Sequence, residues 1–173
     1  MITNKKHKNV KYTNTLSGIS VPKSDAVINV LGELDELNTF LGWAKTKTDK
    51  RDIRSSIKSL QLAVCNIASY IASAGKYSHG RRALVDDLLT LRVIHSNLKK
   101  HVFLQNKFVL PGENELSSIL DIARSVSRRA ERTVIRFFKK NHLPGSGDIL
   151  MYMNMISSFL FMLARSTEKG RKK

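Results

Sequence analysis

The chain has 173 residues, 42% of them hydrophobic and 25% charged, with a formal net charge of +16. That length suits one domain that closes its own core, and the single cysteine excludes both an intramolecular disulfide framework and a zinc site built mainly from cysteine. The positive excess suits a polyanionic partner, whether nucleic acid, a triphosphate or an acidic membrane surface, without choosing among them.

Nine glycines and three prolines leave few turns, so long elements are expected. Residues 1–20 read as a basic N-terminal tail, partly disordered, opening with Lys5-Lys-His-Lys8. No apolar stretch follows residues 1–11, so no signal peptide is expected, and the cytoplasm is the expected compartment. A first helix is predicted over 24–46, capped by Ser24 or Asp25, because Val27, Val30, Leu31, Leu34, Leu37, Phe40 and Leu41 recur at three- and four-residue steps.

The second helix is predicted over 52–74, with Cys65 expected as a small buried hydrophobe, and a basic loop over 76–82 follows it. A third covers 83–100, carrying Leu84, Leu88, Leu91, Ile94 and Leu98. After the rigid joint Phe108-Val-Leu-Pro-Gly112, a fourth is predicted over 115–140, and Leu143-Pro-Gly-Ser-Gly147 separates it from a fifth over 148–168. The most apolar stretch of the fifth, 149–164, is shorter than the about 20 residues of a membrane span and carries Asn154, Ser157 and Ser158. It reads as a buried helix, with no membrane partner. Short joints between long amphipathic helices predict an all-α, up-down five-helix bundle over 21–168, followed by a basic C-terminal tail at 169–173.

Polar residues interrupt this apolar pattern in three places. On the fourth helix, Arg124, Arg128 and Glu131 share a face that Arg132 extends. Arginine offers fixed planar donors for phosphate or carboxylate oxygens, and the bland alternative is a solvated, salt-bridged face. On the first helix Asp35, Asn38 and Gly42 form a stripe, with Glu36 pointing elsewhere. Asp35 among apolar neighbours predicts partial burial and a cationic partner, within the chain or across a subunit boundary. On the fifth, Asn154, Ser157, Ser158 and Arg165 form the polar stripe. The five histidines are scattered, so no metal site is expected, and no phosphate-binding glycine loop or nucleophile elbow is present.

These segments resemble the PduO-type ATP:cob(I)alamin adenosyltransferases over residues 12–165. The likeness is carried by Gly32-Glu-Leu-Asp-Glu-Leu-Asn38 with Leu41-Gly42, Phe108-Val-Leu-Pro-Gly112, Ala123-Arg-Ser-Val-Ser-Arg-Arg-Ala-Glu-Arg132, and Tyr152-Met-Asn154 with Leu163-Ala-Arg165. The resemblance implies a homotrimer with active sites between subunits. It also implies transfer of the 5′-deoxyadenosyl group of ATP, bound with Mg2+, to the cobalt of a reduced corrinoid. By the same resemblance Thr13, Thr15, Lys23, Arg128, Arg129, Glu131, Arg132 and Asn154 would bind ATP, with Arg128 and Asn154 serving catalysis. Phe108 and Ser158 would line the corrinoid pocket, and Asp35 and Arg124 would form an interface salt bridge. A corrinoid reductase and an adenosylcobalamin-dependent enzyme are the further partners implied.

The chain departs from the family pattern at several positions. The N-terminal phosphate loop is shortened, because Thr13-Asn-Thr15 leads through Leu16-Ser-Gly-Ile-Ser to Val21-Pro-Lys23 without the usual Gly-Asp-x-Gly-x-Thr. Glu113, Met155 and Ser158 replace a glycine, an arginine and an aspartate, and Asp121 stands where a histidine is common. Two alternatives therefore stay open: a non-catalytic relative that binds corrinoid or nucleotide, and a basic helical protein that binds nucleic acid. Weak aromatic interleaving and the lack of a helix-turn-helix pattern count against the latter.

Overall fold

The computed structural model describes residues 10–104 and 108–168, and of residues 78–83 the backbone alone. The basic runs at 5–8 and 169–173 lie outside the described residues. In chain order the elements are β1 (Tyr12–Asn14), β2 (Ser20–Pro22), α1 (Ala26–Thr46), α2 (Arg51–Ala72), α3 (Ser78–His101), α4 (Glu115–Lys140) and α5 (Ser146–Ser166). α1 packs between α2 and α4, α5 packs between α4 and α3, and α2 closes the ring against α3.

Local chemistry explains most of the boundaries. The Asp25 side chain accepts from the Val27 amide at 2.9 Å and starts α1. Asn114 starts α4 through a reciprocal capping box: its side chain accepts from the Ser117 amide at 2.9 Å, and its own amide donates to Ser117 Oγ at 3.2 Å. Behind α2 the chain turns through Gly75, at φ +82°, where a Cβ would lie 3.1 Å from the Tyr70 hydroxyl. That hydroxyl donates to the Pro144 carbonyl and ties the end of α2 to the α4–α5 joint.

The core is the inward stripe of each helix. It includes Val30, Leu34, Leu37 and Leu41 from α1, Ile57, Leu60, Val64 and Ile67 from α2, and Leu84, Leu88 and Leu91 from α3. α4 adds Leu120, Ala123, Ala130 and Val134, and α5 adds Ile149, Tyr152, Ile156, Phe159 and Leu160. By length and composition α5 could cross a membrane. At 21 residues it exceeds the apolar segment expected from sequence, and most of its hydrophobic side chains are turned into the bundle, with Met151 exposed.

Four expectations need correction. The fold is not purely α: Thr13 pairs with Val21 in an antiparallel hairpin that runs through the boundary placed at residue 20, turning at Gly18 with φ +77°. α3 begins at Ser78 and absorbs most of the predicted basic loop, because arginine and alanine favour helix and charge alone does not break one. Cys65 is exposed, accepting from Asn38 Nδ2 at 3.4 Å, since it falls 100° from Val64 and off the buried stripe. Asp35 is likewise exposed, and among the described residues it forms no ion pair within the chain.

Two polar contacts cross the seams beside α5. Arg165, 1% exposed, bonds Asp121 Oδ2 on α4 and lies 2.9 Å from Glu168 Oε1, with its guanidinium 5.2 Å above the Phe161 ring. Asp121 Oδ1 in turn accepts from Arg124 Nε at 3.3 Å. On the α3 side, His95 is buried and its Nε2 is hydrogen-bonded to Ser158 Oγ at 3.0 Å. Burial, followed by the charge of Lys99, lowers the His95 pKa below the usual histidine value.

Replacing Arg165 by Met removes the buried cation that Asp121 and Glu168 share. We expect a loss of about 3–5 kcal/mol in urea unfolding, with Asp121→Asn added to the same chain recovering part of it. His95 sets a pH dependence of the opposite kind to a salt-bridged histidine. Above the ordinary histidine range both states hold the ring neutral; as pH falls through about 6.5 the unfolded chain takes the proton first, so stability declines until the lowered folded pKa is passed. His95→Gln should flatten the slope of unfolding free energy against pH on the acid side of neutrality, and an unchanged slope would count against this account.

Candidate functional site

α4 carries the residues singled out by sequence, but it does not present them on one face. A four-residue step along a helix advances the direction by about 40°, and the arginines divide: Arg128 lines a cavity beside α5, Arg132 one beside α1, and Arg124 borders both. Two cavities result, one on each side.

The first, about 670 Å³, lies between α3, α4 and α5. Lys99, Arg124 and Arg128 meet there beside Asn154, with His95 and Ser158 in the wall and Met155 and Phe161 supplying apolar surface. No carboxylate is among its lining residues. Asn154 and Arg128 are exposed, so the Asn154 amide is open to solvent or ligand rather than buried. Ser157, on the same stripe, is buried and bonds its own backbone, to the Asn154 carbonyl at 3.4 Å.

The second cavity, about 610 Å³, lies between α1 and α4 under the 111–112 turn. Phe40, Pro111, Ile122 and Val126 make it more apolar, and Arg124, Arg129 and Arg132 border it with Glu36 and Asp121. Arg129 is already paired here: its Nε bonds Glu33 Oε2 at 2.7 Å, and its Nη2 bonds Glu36. Hydrogen bonds to Glu33 and then Glu36 hold the guanidinium above its usual pKa, so it stays charged at any working pH. Within the chain Arg129 thus pairs with two glutamates of α1 and not with Asp35.

The remaining expected residues are placed elsewhere. Glu131 is half-buried and lines neither cavity. Thr15 lines a separate cavity of about 190 Å³ near the C-terminal ends of α2 and α4, and its hydroxyl is engaged with Ser17 Oγ at 2.8 Å and the Ile19 carbonyl at 3.2 Å. Thr13 lies in β1 and Lys23 follows β2, its amide bonded to the Lys11 carbonyl. Phe108 is fully exposed, with Leu110 also largely exposed, and Phe108 lines neither cavity, so one chain does not bring Phe108 and Ser158 together in either. Among the described residues no group of three or more His, Cys, Asp or Glu side chains could hold a metal ion.

Sequence reading missed His95 and Lys99. The available signal was positional: His95 occupies the step after Leu91 in the apolar stripe of α3, and a polar residue there must be buried or face a cavity.

Comparison with known proteins identifies the family. The family model described as cobalamin adenosyltransferase matches residues 4–167. A corrinoid adenosyltransferase of Citrobacter freundii is 28% identical over 159 residues, covering 90% of this chain and 89% of its own length. Corrinoid adenosyltransferase MMAB of Homo sapiens is 26% identical over 161 residues, covering 89% of this chain but 64% of its own length. A variant PduO-type ATP:corrinoid adenosyltransferase from Lactobacillus reuteri, solved in complex with cobalamin and ATP, shares the fold with a TM-score of 0.82 at 23% identity, over 94% of this chain and 89% of that one. The chain belongs to the cobalamin adenosyltransferase family.

Proposed function

We propose that the chain transfers the 5′-deoxyadenosyl group of ATP to the cobalt of a reduced corrinoid. The observation that carries this reading is the cavity in which Lys99, Arg124 and Arg128 converge beside Asn154 with no carboxylate among the lining residues. Among the described residues Lys99 and Arg128 form no ion pair, and Arg124 is held by Asp121 from outside the lining, an excess of positive charge that suits a polyphosphate better than any neutral ligand.

The reaction asks little covalent chemistry of the protein. Cobalt in the Co(I) state is the nucleophile; it attacks C5′ of ATP, the Co–C bond forms, and the C5′–O bond breaks with its electron pair leaving on the triphosphate. The chain contributes orientation and charge. Arg128 and Lys99 take up the negative charge that grows on the departing phosphates, and the Asn154 amide orients the nucleotide. Mg2+ would be carried by the nucleotide phosphates, where it would screen their charge, and no carboxylate of the cavity lining would hold it.

The assembled protein in this reading is a homotrimer of up-down bundles, with sites completed between subunits. Separation of the hairpin residues from Arg128 and Asn154 supports it, as does the exposure of Asp35, Phe108 and Leu110. Asp35 of one subunit then faces Arg124 of the next, and Phe108 reaches the corrinoid beside Ser158. The protein works in the cytoplasm with a corrinoid reductase upstream and an adenosylcobalamin-dependent enzyme downstream. One observation favours a second, non-catalytic reading: the Thr15 hydroxyl closes its own turn instead of standing free for phosphate.

Anoxic mixing of the purified protein with reduced cobalamin and Mg·ATP should give the visible spectrum of the alkylated corrinoid, and ATP binding without that conversion would favour the non-catalytic reading. Arg128→Ala should lower kcat/KM for ATP by about 10- to 100-fold, the equivalent of one charge-assisted phosphate contact. Its unfolding midpoint should not move, because Arg128 is exposed.

A further inference from the structure

One ionisable residue in the wall of the α3–α4–α5 cavity has no part in the proposed transfer. His95 is 7% exposed, and its Nε2 lies 3.0 Å from Ser158 Oγ, its only hydrogen-bond partner among the described residues. Both residues line the cavity, the serine exposed and the imidazole buried beside it. The charged groups that share this lining are all cations: Lys99, one turn further along α3, with Arg124 and Arg128 from α4. α5 contributes Asn154, Ser157 and Ser158, which do not ionise, and α2 contributes no lining residue. The carboxylates of α3 nearest in sequence, Asp86 and Asp87, lie two turns or more before His95. His95 is therefore the one lining residue whose charge can change near neutral pH.

A neutral imidazole can accept or donate at Nε2, whereas an imidazolium can only donate. Burial and then Lys99 hold the ring toward its neutral form, and no charged residue of α2 or α5 acts on it. A polyphosphate between Lys99 and Arg128 reverses the local charge balance and favours the imidazolium. We propose that His95 is a proton-coupled positioning residue: a polyphosphate bound in this cavity draws a proton from solvent onto the imidazole, which then donates to Ser158 Oγ and leaves the Ser158 hydroxyl hydrogen for the anion. This rests on that cavity being a phosphate site, the reading given above. His95 does not touch the anion in this arrangement; it acts through Ser158.

The sign of the pH dependence separates this role from a staple between α3 and α5. A staple matters to unfolding alone. For the positioning role, the pKa of His95 lies below the ordinary histidine value in the free chain and rises when the anion binds. Proton uptake on binding is largest between those two values and vanishes well above both, so affinity increases as pH falls.

The test is calorimetric titration of the full chain with Mg2+-tripolyphosphate, in two buffers of different ionisation enthalpy, comparing the unvaried protein, His95→Gln and Ser158→Ala. Glutamine can still hydrogen-bond but does not titrate, and the protons exchanged by tripolyphosphate itself cancel in the comparison. Near the ordinary histidine pKa of about 6.5, the unvaried chain should take up more protons on binding than His95→Gln. Between about pH 8 and about pH 6 its affinity should gain about three- to tenfold more than that of His95→Gln, as a rise of up to about one pKa unit requires. Ser158→Ala should weaken binding about threefold near pH 6, where its hydroxyl donates to the anion, and less near pH 8. Equal proton uptake in the unvaried chain and His95→Gln overturns the proposal, and so does a Ser158→Ala loss that is the same at both pH values. Should His95→Gln fail to fold, ring NMR of the unvaried chain reads the same quantity. The His95 signal must then titrate at higher pH with tripolyphosphate than without it, and an unmoved titration overturns the proposal. Adenosyl transfer measured on the same samples keeps the two readings apart. Tripolyphosphate binding without transfer overturns the catalytic reading and leaves His95 to be decided by the comparison. Transfer with proton uptake independent of His95 overturns the positioning role alone, and an unvaried chain that does not bind tripolyphosphate overturns both.

Discussion

A guanidinium sealed between two helices governs how this bundle closes. Arg165 is 1% exposed, and in that setting it requires carboxylates close by. Asp121 from α4 and Glu168 from just beyond α5 supply them. Replacing such a set by apolar side chains is often no worse for stability, so its contribution is better sought in register than in energy. With Arg165 bound to Asp121, α5 can slide neither way along α4. Arg128 consequently stands across the cavity from Asn154, and the chain after α5 returns to the α4 cap, where the Asn114 side chain donates to the Thr167 carbonyl at 3.1 Å.

The same constraint divides the arginines of α4 by task. Arg129 turns toward α1, where Glu33 and Glu36 hold it, and its work is to join two helices. Arg128, four residues past Arg124, turns toward α3 and α5, where no carboxylate lines the wall. One residue type in one motif is thus structural at one position and available to ligand at the next. The surrounding helices, and not the arginine chemistry, make the difference.

A single chain holds only part of what the family pattern calls for. The hairpin residues sit near the C-terminal ends of α2 and α4, and Phe108 projects fully exposed, while Arg128 and Asn154 face α3. Assembly of several copies, as proposed above, would put these halves opposite one another. It would also explain why Asp35 stays exposed on a helix whose other carboxylates, Glu33 and Glu36, are paired.

Much of this was legible in the sequence, for definable reasons. Hydrophobic periodicity located all five helices, and α4 was bounded correctly at Glu115 and Lys140 because a proline–glycine joint precedes it and another break follows it. Hairpin strands of three residues offer no alternating run to detect, so β1 and β2 were hidden. The family also came from sequence, since several motifs in one order and spacing are specific where each alone is weak. Which side chains meet depends on how each helix is rotated and shifted against its neighbours, information that no single helix contains. That rotation paired Arg129 with Glu33 and Glu36, brought His95 and Lys99 to the site from α3, and set Asp121 between Arg124 and Arg165.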